Sequence, residues 1–377
     1  MIQSPYLKRI LKRWDSMHRG VLALTLALSG LGLTMQYSAA GGDVTVFALP
    51  QAMKLLMGVV LMLTIAGTSP MQLYRLSYLI YGACVAMLVM VAVVGALHLG
   101  AQRWVGVGGT SLQPSELMKI GIIIALARYF QGVSISAATR HWLLLIVPGA
   151  LTLVPVALIL KQPNLGTATI VSVIAFSMCF MAGICWWYFA GVIGAAIGAV
   201  PVAYHMLHDY QKQRVMTFLD PGSDPLGAGY NIIQSKIAIG SGGFWGKGLL
   251  NGSQSQLDFL PEKQTDFIFT MTAEELGFLG SVVLLVLYGM LIYFAMLLAV
   301  RARSTYGRLL AAGVAAMLFI HIFINMAMVM GLIPVVGVPL PFLSYGGSFL
   351  LATLMACGLL QHVYINREQN GPRRGIS

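Results

Sequence analysis

Charge is what this sequence has least of. Only 9% of its 377 residues are Asp, Glu, Lys or Arg, against about a quarter in an ordinary soluble domain, which excludes a soluble protein with a hydrated surface. Acids are the scarcer sign, at 12 against 23 Lys and Arg. Cysteine is scarce too. Cys84, Cys179, Cys185 and Cys357 all stand in apolar stretches, without His or acid neighbours at metal-ligand spacing, so they read as packing residues and exclude a disulfide framework. Internal repeats with a period of about 20–50 residues are absent, which excludes a solenoid or propeller, and no segment is of low complexity.

What is present is hydrocarbon, at 58% of residues. Apolar runs recur from Val21 to His362, and about 20 residues is the length of a helix crossing a hydrocarbon layer of about 30 Å. Ten spans are expected, at 21–38, 47–66, 76–98, 115–131, 142–160, 165–183, 186–205, 267–300, 307–331 and 348–366. The fold class is therefore all-α: an integral membrane protein of ten transmembrane helices, with a long periplasmic loop, 207–265, between helices 7 and 8. An even count puts both termini on one side. Fourteen of the 23 basic residues fall on that side, among them Lys8, Arg9, Lys12, Arg13 and Arg19, then Arg75, Arg128 and Arg140. It is expected to be cytoplasmic, because short cytoplasmic loops hold the excess Lys and Arg. The chain 1–377 reads as a single polytopic domain, with 1–20 a cytoplasmic segment and 367–377 a cytoplasmic tail. Its net charge of +11 reflects topology and anionic lipid, and implies no nucleic acid. The run from Val21 to Tyr37 exceeds the apolar core of about 7–15 residues in a cleaved signal, so it reads as the first span. Leu7, Ile10, Leu11 and Trp14 before it suit either a helix lying on the inner leaflet or a plain retention signal.

Eight of the twelve carboxylates lie between Asp209 and Glu275. The segment holding them opens with the turn-forming stretch Asp220 to Gly227 and continues with Tyr230 to Ile239, read as a short amphipathic helix bearing Gln234, Ser235 and Lys236. Gly240 to Gly248 invites a phosphate-loop reading, which fails because Ser241 stands where glycine is required and Gly248 where Ser or Thr is. Its glycines are expected to make tight turns.

Asp266 has two readings. Thr265 and Asp266 before an apolar run are ordinary helix caps. Against this, Phe267 to Val300 is 34 residues, far more than about 20 needed to cross, so the helix either projects outward or breaks near Gly277 and Gly280. Asp266 then stands at the membrane rim, with Thr270, Ala273 and Gly277 on a face that can line a cavity. Ionisable groups in apolar spans are functional hypotheses by default. Glu116 and Lys119, three apart, are expected to pair on one helix face; Arg103, Lys161, Glu274 and Glu275 join them near the outer side, as structural ion pairs or as parts of a site.

Several ordered motifs resemble one family. They are Asp209 to Val215, Asp220-Pro221 with Asp224 to Tyr230, Gln234 to Gly243, Leu260-Pro261-Glu262 with Thr265 to Phe269, Ala273 to Gly277, and Pro339-Leu340-Pro341 with Ser344 to Ser348. Together they look like the SEDS (shape, elongation, division, sporulation) family, over about span one to span ten, and more like its elongation branch, typified by RodA, than its division branch. The resemblance implies a peptidoglycan glycosyltransferase of the bacterial inner membrane that polymerises lipid II on the periplasmic face in cell-wall elongation and rod-shape maintenance. It implies as partners a class B penicillin-binding transpeptidase and other elongation-complex membrane proteins. The family's essential aspartate falls on Asp266, and its paired acid and lysine on Glu116 and Lys119. Gln264 departs from the pattern, since the family commonly has His there.

The chemistry fits one carboxylate. An α-linked lipid pyrophosphate giving a β-linked polymer is an inverting displacement. A glycosidase needs a second carboxyl group to protonate its leaving group, but pyrophosphate leaves without a proton if cations neutralise it. Asp266 is expected as general base for the acceptor 4-hydroxyl. A helix N-terminus would weaken it as a base, so an electrostatic or metal-ligating role stays open. Lys236 and Arg214, with Arg103, Lys119 or Lys161, are the expected pyrophosphate holders; Gln234 and Ser344 join the substrate contacts, a Mg or Mn ion is a possible cofactor, and Glu262, Glu274 and Glu275 are expected supports. The rival readings are a lipid II flippase, which needs polar residues through the full membrane thickness, and a non-catalytic scaffold.

Overall fold

The structure is a computed structural model that describes residues 16–94, 96–98, 101–107, 110–133, 142–206, 212, 216–218, 220, 228–257, 259–260 and 262–369. Every expected span is a helix: α1 Arg19–Ala39, α2 Leu49–Gly67, α3 Pro70–Val94, α4 Pro114–Gln131, α5 Ile146–Lys161, α6 Leu165–Met181, α7 Trp186–Met206, then α10 Ile268–Arg301, α11 Thr305–Val329 and α12 Gly347–Ile365. Between α7 and α10 lie α8 Ala228–Ser241 and the single turn α9 Ser253–Gln256. Among the described residues, seven helices are long and apolar enough to cross a membrane, those of α1, α2, α3, α5, α10, α11 and α12. This is a multi-pass membrane protein. The helical reading gains one feature and loses the end of its third span: β1 Ala96–His98, which the expected span 76–98 had included, forms a small antiparallel sheet with β2 Ala101–Val107 and β3 Thr110–Leu112 between α3 and α4, in a stretch too short and too mixed in polarity to stand out as strands.

Burial sorts the helices into layers. In α11 and α12, 78% and 83% of the apolar window is buried, against 22% in α3 and 17% in α5, so α11 and α12 are central and α3 and α5 peripheral. A helix apolar all round belongs in such a centre or in lipid. The third central helix, α4, carries the ion pair expected from its spacing. Lys119 Nζ donates to Glu116 Oε2 at 2.5 Å and meets His321 Nε2 of α11 at 2.8 Å, and His321 Nδ1 lies 2.7 Å from the Met317 carbonyl. An ammonium only donates and a carbonyl only accepts, so His321 is the neutral ring with its hydrogen on Nδ1. All three side chains are buried. Charge in α4 is thus turned toward protein, not lipid.

The overlong eighth span breaks where glycine permits. Gly277 has φ 68° and ψ −163° inside α10, a region closed to side-chain-bearing residues. The break frees backbone groups that apolar surroundings would penalise. The Gly-rich segment after α8 fills it: Lys247 N and Gly248 N donate to the Glu274 and Glu275 carbonyls at 3.1 and 3.0 Å, while Phe278 N and Leu279 N donate to the Gly243 and Phe244 carbonyls at 2.9 and 3.1 Å. Gly246 (φ 80°) lies so close that a Cβ would strike the Glu275 carbonyl. The apparent phosphate loop is therefore a backbone clamp on a broken helix.

Gly277→Ala and Gly246→Ala should each cost about 1–3 kcal/mol from strained backbone alone, read as a lower unfolding temperature in detergent, whereas Gly240→Ala, where a Cβ meets nothing within 4 Å, should leave it unchanged. Lys119→Met should cost about 3–5 kcal/mol by leaving Glu116 buried without its partner, and the double variant Glu116→Gln with Lys119→Met should recover part of that loss; equal unfolding temperatures for the single and double variants would argue against the pairing.

Candidate active site

Residues Glu262 to Phe267 form a turn directly before α10. Glu262 reverses the chain at φ 60°; Thr265 N and Phe267 N donate to its carbonyl at 3.1 and 3.3 Å, and the Thr265 hydroxyl donates to its carboxylate at 2.9 Å. Three successive carbonyls of the turn then each receive donors from elsewhere in the chain. Gln264 O accepts from Tyr345 N at 2.8 Å and Gln36 Nε2 at 3.0 Å. Thr265 O accepts from the Ser344 hydroxyl at 2.7 Å. Asp266 O accepts from Asn325 Nδ2 at 2.9 Å. The donors are themselves anchored, Gln36 on Leu343 O, Asn325 on Val338 O and Ser344 by accepting from Leu340 N, all three at 2.7 Å. Turn, α1, α11 and the 330–346 connection are thereby one unit. A buried carbonyl left unpaired costs about 1–3 kcal/mol, so the turn has little freedom to move.

The Asp266 carboxylate is half-buried and lies over the same connection, its Oδ2 3.2 Å from where a Cβ on Gly337 would stand. It stands one residue before the cap position of α10, which is Phe267, without a side-chain hydrogen bond. Helix α8 approaches from the other side: Ser235 Oγ donates to Val329 O at 2.7 Å and so accepts from the Thr270 hydroxyl, at 2.6 Å. That anchor leaves Lys236 on the exposed side of α8, with its Nζ 2.8 Å from a Cβ position on Gly331. Gln234, two residues before it, is half-buried. The face of Thr270, Ala273 and Gly277 does not line a cavity, because its small side chains let α8 and the Gly-rich segment pack directly onto the α10 backbone.

The remaining expected residues divide. Ser344 is buried and its hydroxyl is engaged on both sides in the clamp, so it holds the turn. Glu274 is buried under Lys247 Nζ at 2.7 Å and the amides of Gln254 and Ser255 at 2.9 and 3.1 Å. Glu275 accepts from the Ser38 hydroxyl at 2.6 Å. Both tie the 247–256 segment to α10 and α1, away from the turn. Lys161 is exposed at the C-terminal end of α5. Arg103 belongs to β2, but its side chain, like Arg214, lies outside the described residues. Among the described residues no group of three or more His, Cys, Asp or Glu could hold a metal ion, so the protein side chains present do not form a metal cage.

Sequence reading missed the residues that position the turn: Gln36, Asn325 and Tyr345, and His321 behind Lys119. Gln36, Asn325 and His321 carried a signal, as polar side chains inside apolar spans.

The chain matches a model of the FtsW, RodA and SpoVE proteins, described as "Cell cycle protein", over residues 19–369. It is 40% identical over 358 residues to the peptidoglycan glycosyltransferase MrdB of Escherichia coli K12, covering 94% of this chain and 96% of that one. It is 39% identical over 360 residues to stage V sporulation protein E of Bacillus subtilis, covering 91% and 95%. Two solved structures share the fold. One comes from a study of the structural coordination of polymerization and crosslinking by a peptidoglycan synthase complex, at TM-score 0.81 and 37% identity over 94% of this chain and 99% of that one. The other is the crystal structure of the rod shape determining protein RodA of Thermus thermophilus, at TM-score 0.71 and 32% identity with the same coverage. With sequence and fold in agreement along nearly its whole length, the chain belongs to the FtsW, RodA and SpoVE family.

Proposed function

We propose that this chain is a peptidoglycan glycosyltransferase that polymerises lipid II during cell-wall elongation, with Asp266 as the catalytic carboxylate. The observation that supports this most directly is the turn before α10: four donors from three parts of the chain fix the backbone of Gln264, Thr265 and Asp266, while the carboxylate itself stays half-exposed. Rigid backbone beneath a reachable acid is the arrangement that positioning catalysis requires. Relatives named for the same activity support the reaction class.

In this reading the Asp266 carboxylate takes the proton of the acceptor 4-hydroxyl. The freed oxygen attacks the donor's anomeric carbon on the face opposite the α-linked pyrophosphate. The carbon–oxygen bond to pyrophosphate breaks, and the lipid pyrophosphate leaves with the electron pair, giving a β-linked strand. Lys236, with Arg214 and Arg103, balances the leaving charge. A magnesium or manganese ion, if bound, would be held by the Asp266 carboxylate, and no step is routed through it.

All ten helices α1 to α7 and α10 to α12 cross the inner membrane, both termini are cytoplasmic, and the 207–265 segment and Asp266 face the periplasm, in one domain spanning the chain. The basic residues before α1, after α10 and after α12 support that orientation. The class B penicillin-binding transpeptidase is the proposed partner, within an assembly of elongation-complex membrane proteins; a structural neighbour from a complex that couples polymerization to crosslinking supports this.

Purified protein supplied with lipid II should make glycan polymer, and Asp266→Asn should lose about 10² to 10⁴ in rate without a change in unfolding temperature. No polymer from the wild type together with its partner would sink the proposal in favour of a flippase. Asn325→Ala, by releasing the Asp266 carbonyl, should lower kcat about tenfold or more while KM for lipid II stays within about twofold, the split expected of a positioning residue.

A further inference from the structure

We propose that Lys54 binds a phosphate of the lipid-linked substrate, held in place by Tyr345; the proposal rests on the polymerase reading above. Lys54 stands in the second turn of α2, inside an expected membrane span, where a cation is costly unless a partner or function retains it. Among the described residues no carboxylate pairs with it. Its Nζ instead lies 3.2 Å from the Tyr345 hydroxyl and 4.2 Å from the centre of that ring, contacts that orient an ammonium without neutralising it. Tyr345 is the residue whose N–H holds Gln264, two positions before Asp266. Lys54 is therefore joined to the Asp266 turn through one rigid residue.

The surroundings of Lys54 favour an anion. Its stem runs over Gly347, where a Cβ would come within 3.1 Å of Cδ, and Gly347 opens α12 without a side-chain cap. A lysine beside the positive end of a helix is an unfavourable pairing by itself. An anion resolves it, and the reaction supplies one in the lipid pyrophosphate. Gln51, on the preceding turn of α2, donates to the Ser344 carbonyl at 3.1 Å, so α2 is docked on this connection independently of Lys54. Helix α2 faces lipid on its outer side, with Met53, Leu56 and Met57 exposed. A polyprenyl chain lying there would bring its headgroup to Lys54. An anionic phospholipid offers similar phosphate chemistry, so the test must separate the two sources.

The test is polymerisation by the full chain with its transpeptidase partner, with lipid II varied, for wild type, Lys54→Arg and Lys54→Met. Loss of one charge-assisted contact should raise KM about tenfold or more in Lys54→Met, and Lys54→Arg should stay within about threefold of wild type, all three unfolding at the same temperature. Inhibition by polyprenyl pyrophosphate should weaken by a similar factor in Lys54→Met, with the response to phosphatidylglycerol vesicles unaltered. Unchanged KM and unchanged pyrophosphate inhibition would overturn the assignment, as would an effect seen only with phosphatidylglycerol, which would make Lys54 a bulk-lipid contact. If the wild type makes no polymer, the polymerase reading fails by itself, and direct binding of polyprenyl pyrophosphate to wild type and Lys54→Met still decides the Lys54 site.

Discussion

Backbone carbonyls cannot be left unpaired in apolar surroundings, and the turn that carries Asp266 has three in succession. Each is met by a donor that the rest of the fold must deliver: a glutamine from α1, an asparagine from α11, a serine hydroxyl and a main-chain amide from the 330–346 connection. Helices far apart in sequence are thereby fixed against one another by the need to satisfy a six-residue turn. The same bonds that pay the desolvation cost of the turn also remove its freedom, so stability and the placement of the Asp266 carboxylate have one physical origin here.

The break in α10 obeys the same rule. A helix of 34 residues cannot run on through the site without carrying its first turns away from the other helices, and Gly277 lets it redirect. The cost is a set of unpaired carbonyls and amides, and the Gly-rich segment meets it with four hydrogen bonds. Glu274 and Glu275 then fasten that segment from both sides. Their burial serves the loop. Asp266, by contrast, keeps a half-exposed carboxylate at the start of this helix.

Helix positions were readable because period and length report burial directly: each of the ten apolar runs became a helix, with ends close to those expected except for the third, expected at 76–98 and found at Pro70–Val94. The Glu116–Lys119 pair was readable because three-residue spacing on a helix fixes its geometry locally. The break at Gly277 is one of the two outcomes that excess length allowed, the other being a helix that projects outward. What could not be read was tertiary pairing. Nothing local to Ser344 says that its hydroxyl meets Thr265, 79 positions away, and the spacing of Thr270 and Ala273 describes a small-residue face equally well whether a cavity or another backbone lies against it. The β1–β3 sheet escaped notice because its strands are 3 to 7 residues long and carry no long alternation.

In the proposed reaction, the 330–346 connection accounts for how one carboxylate could serve. Lys236 lies on Gly331, Asp266 on Gly337 and Lys54 on Tyr345, so a single stretch of chain presents a cation, the carboxylate and a second cation in order. A base that removes a proton while a dianionic group departs must not itself be repelled by that group. At about 4 Å two unit charges interact by about 4 kcal/mol in surroundings typical of a protein surface, enough to stop an aspartate and a pyrophosphate from sharing a site without cations. Packing both cations against the connection over which the acid lies keeps their spacing independent of the mobile lipid substrates. The constraint on the carbonyls of the turn therefore also fixes where the leaving group can be held.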